Sequence, residues 1–173
     1  MHEAGPPLSP RANRLRRAQD ASTSLPVVGW KEVVALPEWG IPRLKAKIDT
    51  GARSCALHAR ILERVPPASP GESERLRLAL SVSRHEPERI VCIEVPVTCY
   101  KSVRNTGGIL EVRPFVRTRI RLGDQEFETE MGIADRARML FRIILGRKFL
   151  EGRFAVDVSA KYQQGRNPGG KRR

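Results

Sequence analysis

Hydrophobic and polar residues alternate with a period of two along most of the chain, the pattern of β-strands that bury one face. In "RLKAKI" (Arg43 to Ile48) the apolar residues Leu44, Ala46 and Ile48 alternate with basic ones. Turn-forming segments such as "PEWGIP" and "PPASPGESE" separate such runs. The strands predicted in this way are Val27 to Leu36, Arg43 to Ile48, Arg75 to Val82 and Val91 to Cys99, with Pro96 marking the last as an edge strand. The chain is therefore predicted to be mainly β.

A β-hairpin is predicted across Gly123 and Asp124, because glycine at the first central position suits a two-residue type II′ turn. This register places arginines opposite glutamates on one face and apolar residues or threonines opposite each other on the other face. The predicted pairs are Arg121–Glu126, Arg119–Glu128, Arg117–Glu130, Ile120–Phe127, Thr118–Thr129 and Val116–Met131. The glutamates of the hairpin are therefore assigned a structural role.

Helix is scarce, and the sequence predicts one domain between two basic termini. One short helix is predicted in "GRKFLEG" (Gly146 to Gly152), followed by a final strand around Val156 and Val158. Residues 1–25 are rich in Pro, Ser, Ala and Arg, so we expect a disordered basic arm, and residues 163–173 are expected to be a disordered basic tail. Residues 26–162 then form the folded domain.

The charge balance points to an anionic partner. The chain has 32 Lys and Arg against 19 Asp and Glu, a formal net charge of +13. Nucleic acid, acidic lipid and polyacidic peptide all fit such an excess. No apolar run suggests a membrane span or a secretory signal, and three cysteines are too few for a disulfide framework. We therefore expect a cytoplasmic protein.

One strand delivers a carboxylate into a glycine turn. Asp49-Thr50-Gly51-Ala52 directly follows the Arg43 to Ile48 strand. Asp and Gly are ordinary turn residues, so the segment is either a plain turn or the site of a catalytic acid. A second feature favours the acid: the apolar run "IIL" ends in Gly146 and Arg147 just before the predicted helix.

An apolar strand leading into Asp-Thr-Gly-Ala, then a hairpin, then apolar residues and Gly-Arg, resembles the retropepsins, the aspartic proteases of retroviral type. From about Val28 to Tyr162 the chain also resembles the bacterial family that is named ATP-dependent zinc protease and is associated with the ribosomal-protein glutamate ligase RimK. The motifs that carry this resemblance are Gly29-Trp30, Asp49 to Arg53, Ala56 to Ala59, and Leu145 to Arg147. The resemblance implies a closed, retropepsin-like β-barrel, equivalent to one half of an acid protease, that is active as a homodimer.

The resemblance also implies roles for individual residues. Asp49 would activate water, Thr50 would lock the two catalytic turns together, and Gly51 would let the backbone approach substrate. Ala52 and Arg53 would line the substrate site. The family link implies a glutamate-tailed (RimK-modified) or other acidic protein substrate, and association with the ribosome or with a RimK-type ligase.

A flap is predicted in "CYKSVRNTGGILEV", with its tip at residues 105–108. Lys101 and Arg104 would present positive charge there to a bound acidic chain. In the other interpretation they are solvated hairpin residues.

The chemistry of peptide hydrolysis by carboxylates agrees with a dimer. Two carboxylates must share one proton, so that one activates water while the other polarises the carbonyl. The chain has no second Asp-Ser/Thr-Gly, so a catalytic Asp49 requires a second copy. The retroviral enzymes carry an Asp where this chain has Arg53, and that Asp pairs with the arginine of their Gly-Arg motif. Arg147 must therefore find another partner or contact substrate.

Other chemistries are less well supported. The chain has no His-Glu-x-x-His or Cys-x-x-Cys motif for zinc and no phosphate-binding Gly-Lys-Ser/Thr loop for ATP, so no metal or cofactor is expected. Cys55 and His58 are too close in sequence to build a nucleophile, a base and an orienting group, and His58 is interpreted as structural. The alternative function is a catalytically inactive, basic module on the same fold that binds nucleic acid or the ribosome.

Overall fold

The computed structural model describes residues 24–83, 86, 88–104 and 108–164. These residues form twelve strands, one 3-10 turn at Pro37–Trp39 and one short α-helix. The strands are β1 (Val27–Gly29), β2 (Lys31–Leu36), β3 (Ile41–Ile48), β4 (Cys55–His58), β5 (Arg60–Val65), β6 (Arg75–Ser81), β7 (Ile90–Pro96), β8 (Cys99–Arg104), β9 (Leu110–Leu122), β10 (Gln125–Ala134), β11 (Ile143–Leu145) and β12 (Ala155–Asp157), and the helix is α1 (Arg147–Leu150). The prediction of a mainly β chain with one short helix is confirmed. No helix in the described part of the chain has the length and apolar character of a membrane span.

Two predicted strands have different bounds. The first is interrupted at Trp30, which separates β1 from β2. The prediction of one strand from Val91 to Cys99 was wrong at its end, because β7 stops at Pro96 and Cys99 begins β8. Val97 N–H donates to a carbonyl beside β6 and Thr98 N–H to one in β9, so the chain changes sheets here. β7 is an edge strand, as Pro96 indicated.

The central sheet returns on itself. Hydrogen bonds connect its strands in the order β10, β4, β11, β3, β2, β9, and β9 pairs with β10 as well, so six strands form a closed ring that β8 extends from β9. The predicted alternation in β3 is confirmed, since Leu44, Ala46 and Ile48 are buried. Burial of these apolar faces is the main stabilisation of such a fold.

A separate three-stranded sheet, β5–β6–β7, is inserted between β4 and β8. Its central strand buries Leu76, Leu78 and Leu80 almost completely, and these side chains belong to the same hydrophobic cluster as the ring. The two sheets therefore share one core.

The β9–β10 hairpin has the predicted register throughout, from Gln125 opposite Leu122 to Met131 opposite Val116. Gly123 adopts φ +63°, as the first central residue of a type II′ turn requires. Several ion pairs differ from those predicted between directly opposite residues. Arg117 contacts Glu128, Arg119 contacts Glu38, and Glu130 contacts Lys101.

The two ends of the described chain meet. β1 pairs in parallel with β12. The carboxylate of Glu32, which is fully buried, accepts hydrogen bonds from the backbone N–H groups of Gly29, Gln163 and Gln164. The first two residues after the predicted domain boundary are thus attached to β2.

Candidate active site

The Asp49 loop begins where β3 leaves the central sheet. Ile48 N–H donates to Trp30 O and Asp49 N–H donates to Leu145 O, each at 2.9 Å. The last residues of β3 are therefore fixed between β2 and β11. Asp49 follows Lys45 and Lys47 on the face of the strand that points away from the core.

The Asp49 carboxylate is oriented on both oxygens. Oδ1 accepts hydrogen bonds from Gly51 N–H at 3.2 Å and Ala52 N–H at 3.3 Å. Oδ2 lies 3.1 Å from Lys47 Nζ, and the side chain is 25% exposed. Burial raises the pKa of Asp49, but the hydrogen bond and charge of Lys47, together with the two N–H groups, outweigh it, so the pKa lies below its ordinary value. Asp49 is an ionised, oriented carboxylate that solvent can reach.

The Gly146-Arg147 motif holds this loop from behind. A Cβ on Gly146 would lie 2.5 Å from Ser54 O and 2.9 Å from Ala52 O, so only glycine fits without displacing the loop. Arg147 N–H donates to Ala52 O at 2.9 Å. Arg147 Nη1 donates to Thr50 O at 2.9 Å and to Gly51 O at 3.0 Å. Arg147 therefore binds carbonyl oxygens of the Asp49 loop, the partners that the sequence left open.

The other predicted residues of the loop lie beside Asp49. Thr50, Gly51 and Arg53 are exposed, and Ala52 is half-buried. Lys148 N–H donates to Arg53 O at 3.0 Å, so the main chain of Arg53 is held while its residue remains exposed.

The two predicted flap cations lie on β8. The ammonium of Lys101 pairs with Glu130 and lies 4.5 Å from the centre of the Phe115 ring, so contact with substrate would require that ion pair to open. Arg104 Nη1 donates to Gly108 O at 2.9 Å. Three residues of the predicted flap tip, 105–107, lie outside the described part of the chain. The structure places these cations on the hairpin and does not join them to the Asp49 loop.

The zinc in the name of the resembling family does not fit the residues around Asp49. Burial raises the pKa of the Cys55 thiol to about 11, so the thiolate that zinc or nucleophilic catalysis needs is disfavoured. His58 Nδ1 accepts Arg136 N–H at 2.9 Å, which supports a structural His58. In the described residues no group of three or more His, Cys, Asp or Glu side chains is placed to hold a metal.

A cavity of about 520 Å³ lies between β4, β9 and the three-stranded sheet. His58, Arg60, Arg113 and Ala134 contribute to its lining, and Asp49 does not. The residues that line this cavity do not include the Asp49 loop.

Sequence reasoning missed Lys47. Its signal was present, since Lys47 and Asp49 are two residues apart on a strand and must point to the same side. In one chain this arrangement gives a single oriented carboxylate, with a cation that stabilises its ionised form. A carboxylate of this kind can accept a proton from water, whereas the proton donor for the carbonyl has to come from another group.

The chain is similar to several known proteins. The chain is 32% identical over 139 residues to a probable alpha-L-glutamate ligase of Parasynechococcus marenigrum and 29% identical over 131 residues to one of Desulfotalea psychrophila, covering 80% and 76% of this chain. The matched regions are only 29% and 28% of those relatives' own lengths. The fold is similar to the crystal structure of Lpg0085, a Legionella pneumophila protein of unknown function, with a TM-score of 0.64 and 25% identity, covering 82% of this chain and 98% of that one.

The family model described as retropepsin-like aspartic endopeptidase RimB matches residues 27–167, which include the Asp49 loop, the Gly146-Arg147 motif and every strand of the structure. The match confirms the resemblance found in the sequence, and the chain belongs to the RimB-like family of retropepsin-like proteins.

Proposed function

We propose that this chain is an aspartic peptidase that is active as a homodimer and hydrolyses glutamate-tailed or other acidic proteins. The observation that carries the proposal is the Asp49 carboxylate, which is oriented by Gly51 and Ala52, remains open to solvent and lies in a loop that Arg147 holds in place. Such preorganisation is what a catalytic acid or base requires.

In the proposed reaction, the Asp49 side chains of two copies face each other and share one proton. The ionised carboxylate takes a proton from water while the water oxygen bonds to the peptide carbonyl carbon, and the protonated carboxyl gives its proton to the carbonyl oxygen. The tetrahedral intermediate collapses as the C–N bond breaks and the amine leaves with a proton from the dyad. One hydroxyl of the intermediate gives its proton back to the dyad as the C=O bond re-forms, which restores the shared proton. The two carboxyls titrate as a unit, because repulsion between two close carboxylates disfavours the state in which both are ionised.

The dimer is supported by what one copy lacks. One chain supplies a single carboxylate, and Thr50 and Gly51 beside it are exposed rather than packed against their own chain. An isologous contact through this loop would bring two equivalent carboxylates together. Lys47 would reduce the repulsion between them.

The acidic substrate is supported by charge and by the relatives. The net charge of +13 favours an anionic chain, and Arg53 is exposed next to the catalytic loop. The curated relatives that contain a matching region are named as alpha-L-glutamate ligases, which suits a substrate that carries added glutamate. Association with a RimK-type ligase or the ribosome and a cytoplasmic location, which three free cysteines would suit, complete the proposal.

The test is cleavage of a protein with a C-terminal oligoglutamate tail by the wild type and by Asp49→Asn, with and without a metal chelator. We expect wild-type cleavage that resists the chelator, and loss of at least about a thousandfold in Asp49→Asn. Asp124→Asn, an exposed carboxylate in the β9–β10 turn, is the matched control and should retain activity.

Sedimentation of the wild type across a range of concentrations tests the dimer, and activity should rise with the dimer fraction. Cleavage that persists in Asp49→Asn would exclude the dyad. Cleavage that the chelator abolishes would support a metal peptidase. If the wild type binds nucleic acid and cleaves no acidic protein, the inactive binding module would be the better explanation.

A further inference from the structure

The outer face of β3 carries a row of cations that leads to the Asp49 loop. Arg43, Lys45 and Lys47 occupy alternate positions and the two residues between them are buried, so the three basic side chains lie on the same face. On the neighbouring strand β2, Lys31 lies directly opposite Lys47, and opposite residues of antiparallel strands share a face. These four residues are called the cationic row below.

The cationic row carries more positive charge than the described residues around it neutralise. Lys47 Nζ lies 3.1 Å from Asp49 Oδ2, so one carboxylate serves two lysines that face each other across strands. The Lys31 ammonium lies 4.5 Å from the centre of the Trp30 ring. In the described part of the chain, no carboxylate oxygen lies within 4 Å of the Lys31 or Lys45 ammonium. Like charges directly opposite each other destabilise a sheet, so an anion bound to the row would relieve this repulsion.

The spacing of the cationic row matches that of an extended acidic peptide. Side chains two residues apart lie about 6.6–6.8 Å apart along a strand, in an extended peptide as well as in β3. Glutamates at every second position of a bound peptide would therefore each meet one cation of the row. The side chain of Lys47 is 44% exposed, so its ammonium can bind a further carboxylate while it contacts Asp49. A peptide that lies along the row would thus continue to the Asp49 loop.

We propose that the cationic row is an extended substrate-binding surface, on which Lys45 and Lys47 bind side-chain carboxylates of an acidic peptide segment next to the scissile bond. The inference rests on the proposed function, because it names the surface that recognises the acidic substrates of the same site. Lys45 touches no reacting atom. Its effect is on substrate affinity, and therefore on KM rather than on kcat.

The first test is cleavage of a protein with an oligoglutamate tail. In Lys45→Met we expect KM to rise about 2- to 5-fold, the usual value of one exposed ion pair, with kcat unchanged. Lys45→Glu reverses the charge and should raise KM further. Lys148→Met is the matched control, since Lys148 is an exposed lysine of α1 outside the cationic row, and it should behave like the wild type.

The second test separates the spacing of the substrate charges from their number. The blocked peptides Glu-Gln-Glu-Gln-Glu-Gln-Gln and Glu-Gln-Gln-Glu-Gln-Gln-Glu carry the same charge, but only the first has glutamates at every second position. In titrations into Asp49→Asn, the first peptide should bind about 2- to 10-fold more tightly than the second. Adding Lys45→Met to that variant should reduce this preference.

The outcomes distinguish the binding surface from the activity. Equal binding of the two peptides, or an unchanged KM in a folded and active Lys45→Met, would overturn the assignment to the cationic row and leave the peptidase intact. A fall in kcat without a change in binding would also overturn it, since it would show a positioning role for Lys45. Binding of a single-stranded oligonucleotide and of neither peptide would overturn it in favour of nucleic acid. A wild type that cleaves no acidic protein would overturn the proposed function, and this inference with it.

Discussion

Arg147 offers the sharpest test of how the Asp49 loop is held. A single nitrogen, Nη1, donates to the carbonyl oxygens of Thr50 and Gly51, and the side chain is exposed. Arg147→Met removes these two bonds and keeps the main-chain bond from Arg147 N–H to Ala52 O. Because water can replace a donor at exposed carbonyls, the loss of folding stability should be only about 1 kcal/mol. The loss of loop order should act mainly on catalysis.

We expect Arg147→Met to lower kcat about 10- to 100-fold on a glutamate-tailed protein, since a displacement of about 1 Å at a catalytic group can cost that much. KM should change less, because the residue does not need to contact substrate. Urea unfolding would measure stability, and steady-state kinetics would separate kcat from KM. Arg147→Lys should be intermediate, since one nitrogen serves both carbonyls and a lysine ammonium can partly replace it.

Lys148→Met is the matched control, because Lys148 is exposed on the same helix and its side chain makes no hydrogen bond to the loop within the described structure. If Arg147→Met and Lys148→Met had equal kcat values, the main-chain bonds alone would hold the loop and the reasoning would be wrong. A large loss of stability without an effect on kcat would equally contradict it.

Three further changes test neighbouring contacts. Gly146→Ala forces a methyl group to 2.5 Å from a carbonyl oxygen, so we expect about 3 kcal/mol lower unfolding free energy by urea titration. Lys47→Met removes the cation that lowers the pKa of Asp49, so NMR titration should give a higher Asp49 pKa in the variant. The wild type loses folding stability as pH falls through the Asp49 pKa, and the variant should lose it at a higher pH. His58→Leu leaves the Arg136 N–H without its acceptor, at about 1–3 kcal/mol, whereas His58→Asn keeps an acceptor. Burial lowers the pKa of His58 below 6.5 in the folded state. The hydrogen bond from Arg136 N–H to His58 therefore stabilises the fold fully above about pH 6.5 and weakens as pH falls through the folded-state pKa of His58. Melting measured against pH should show this dependence in the wild type and not in His58→Asn.

The hairpin shows what the sequence alone could establish. Its register was predictable because opposite charges, apolar partners and the turn glycine all agreed on one pairing. The ion pairs were only partly predictable. Glu130 contacts Lys101 of β8 and Arg119 contacts Glu38 of the 3-10 turn, and no local pattern relates those strands. Local alternation fixes which face a side chain occupies, whereas long-range packing decides which charge it meets.

The candidate site also has parts that local sequence predicts and parts that depend on long-range packing. Asp49 was identified from its motif, and Lys47 could have been found from the same strand. The contacts of Arg147 with the carbonyl oxygens of Thr50 and Gly51 gave no signal, because the two segments are far apart in sequence and are brought together only by the fold. The strand error at Cys99 has a similar cause, since the change of sheet after Pro96 depends on partners in other strands.

The Lys47 ammonium beside Asp49 leads to a last prediction about pH. Lys47 favours the ionised carboxylate, which would deprive the proposed dyad of its shared proton as pH rises. An acidic tail in the cleft brings negative charge next to the dyad and should raise the pKa at which that proton is lost. The pH dependence of kcat reports groups in the enzyme–substrate complex, so the basic limb of kcat should lie at higher pH for an oligoglutamate tail than for an oligoglutamine tail. Lys47→Met should move the basic limb of kcat to higher pH for both tails and preserve the difference between the two tails. Identical limbs for the two tails would show that substrate charge does not reach the dyad, and acidic substrates would then be selected by binding alone.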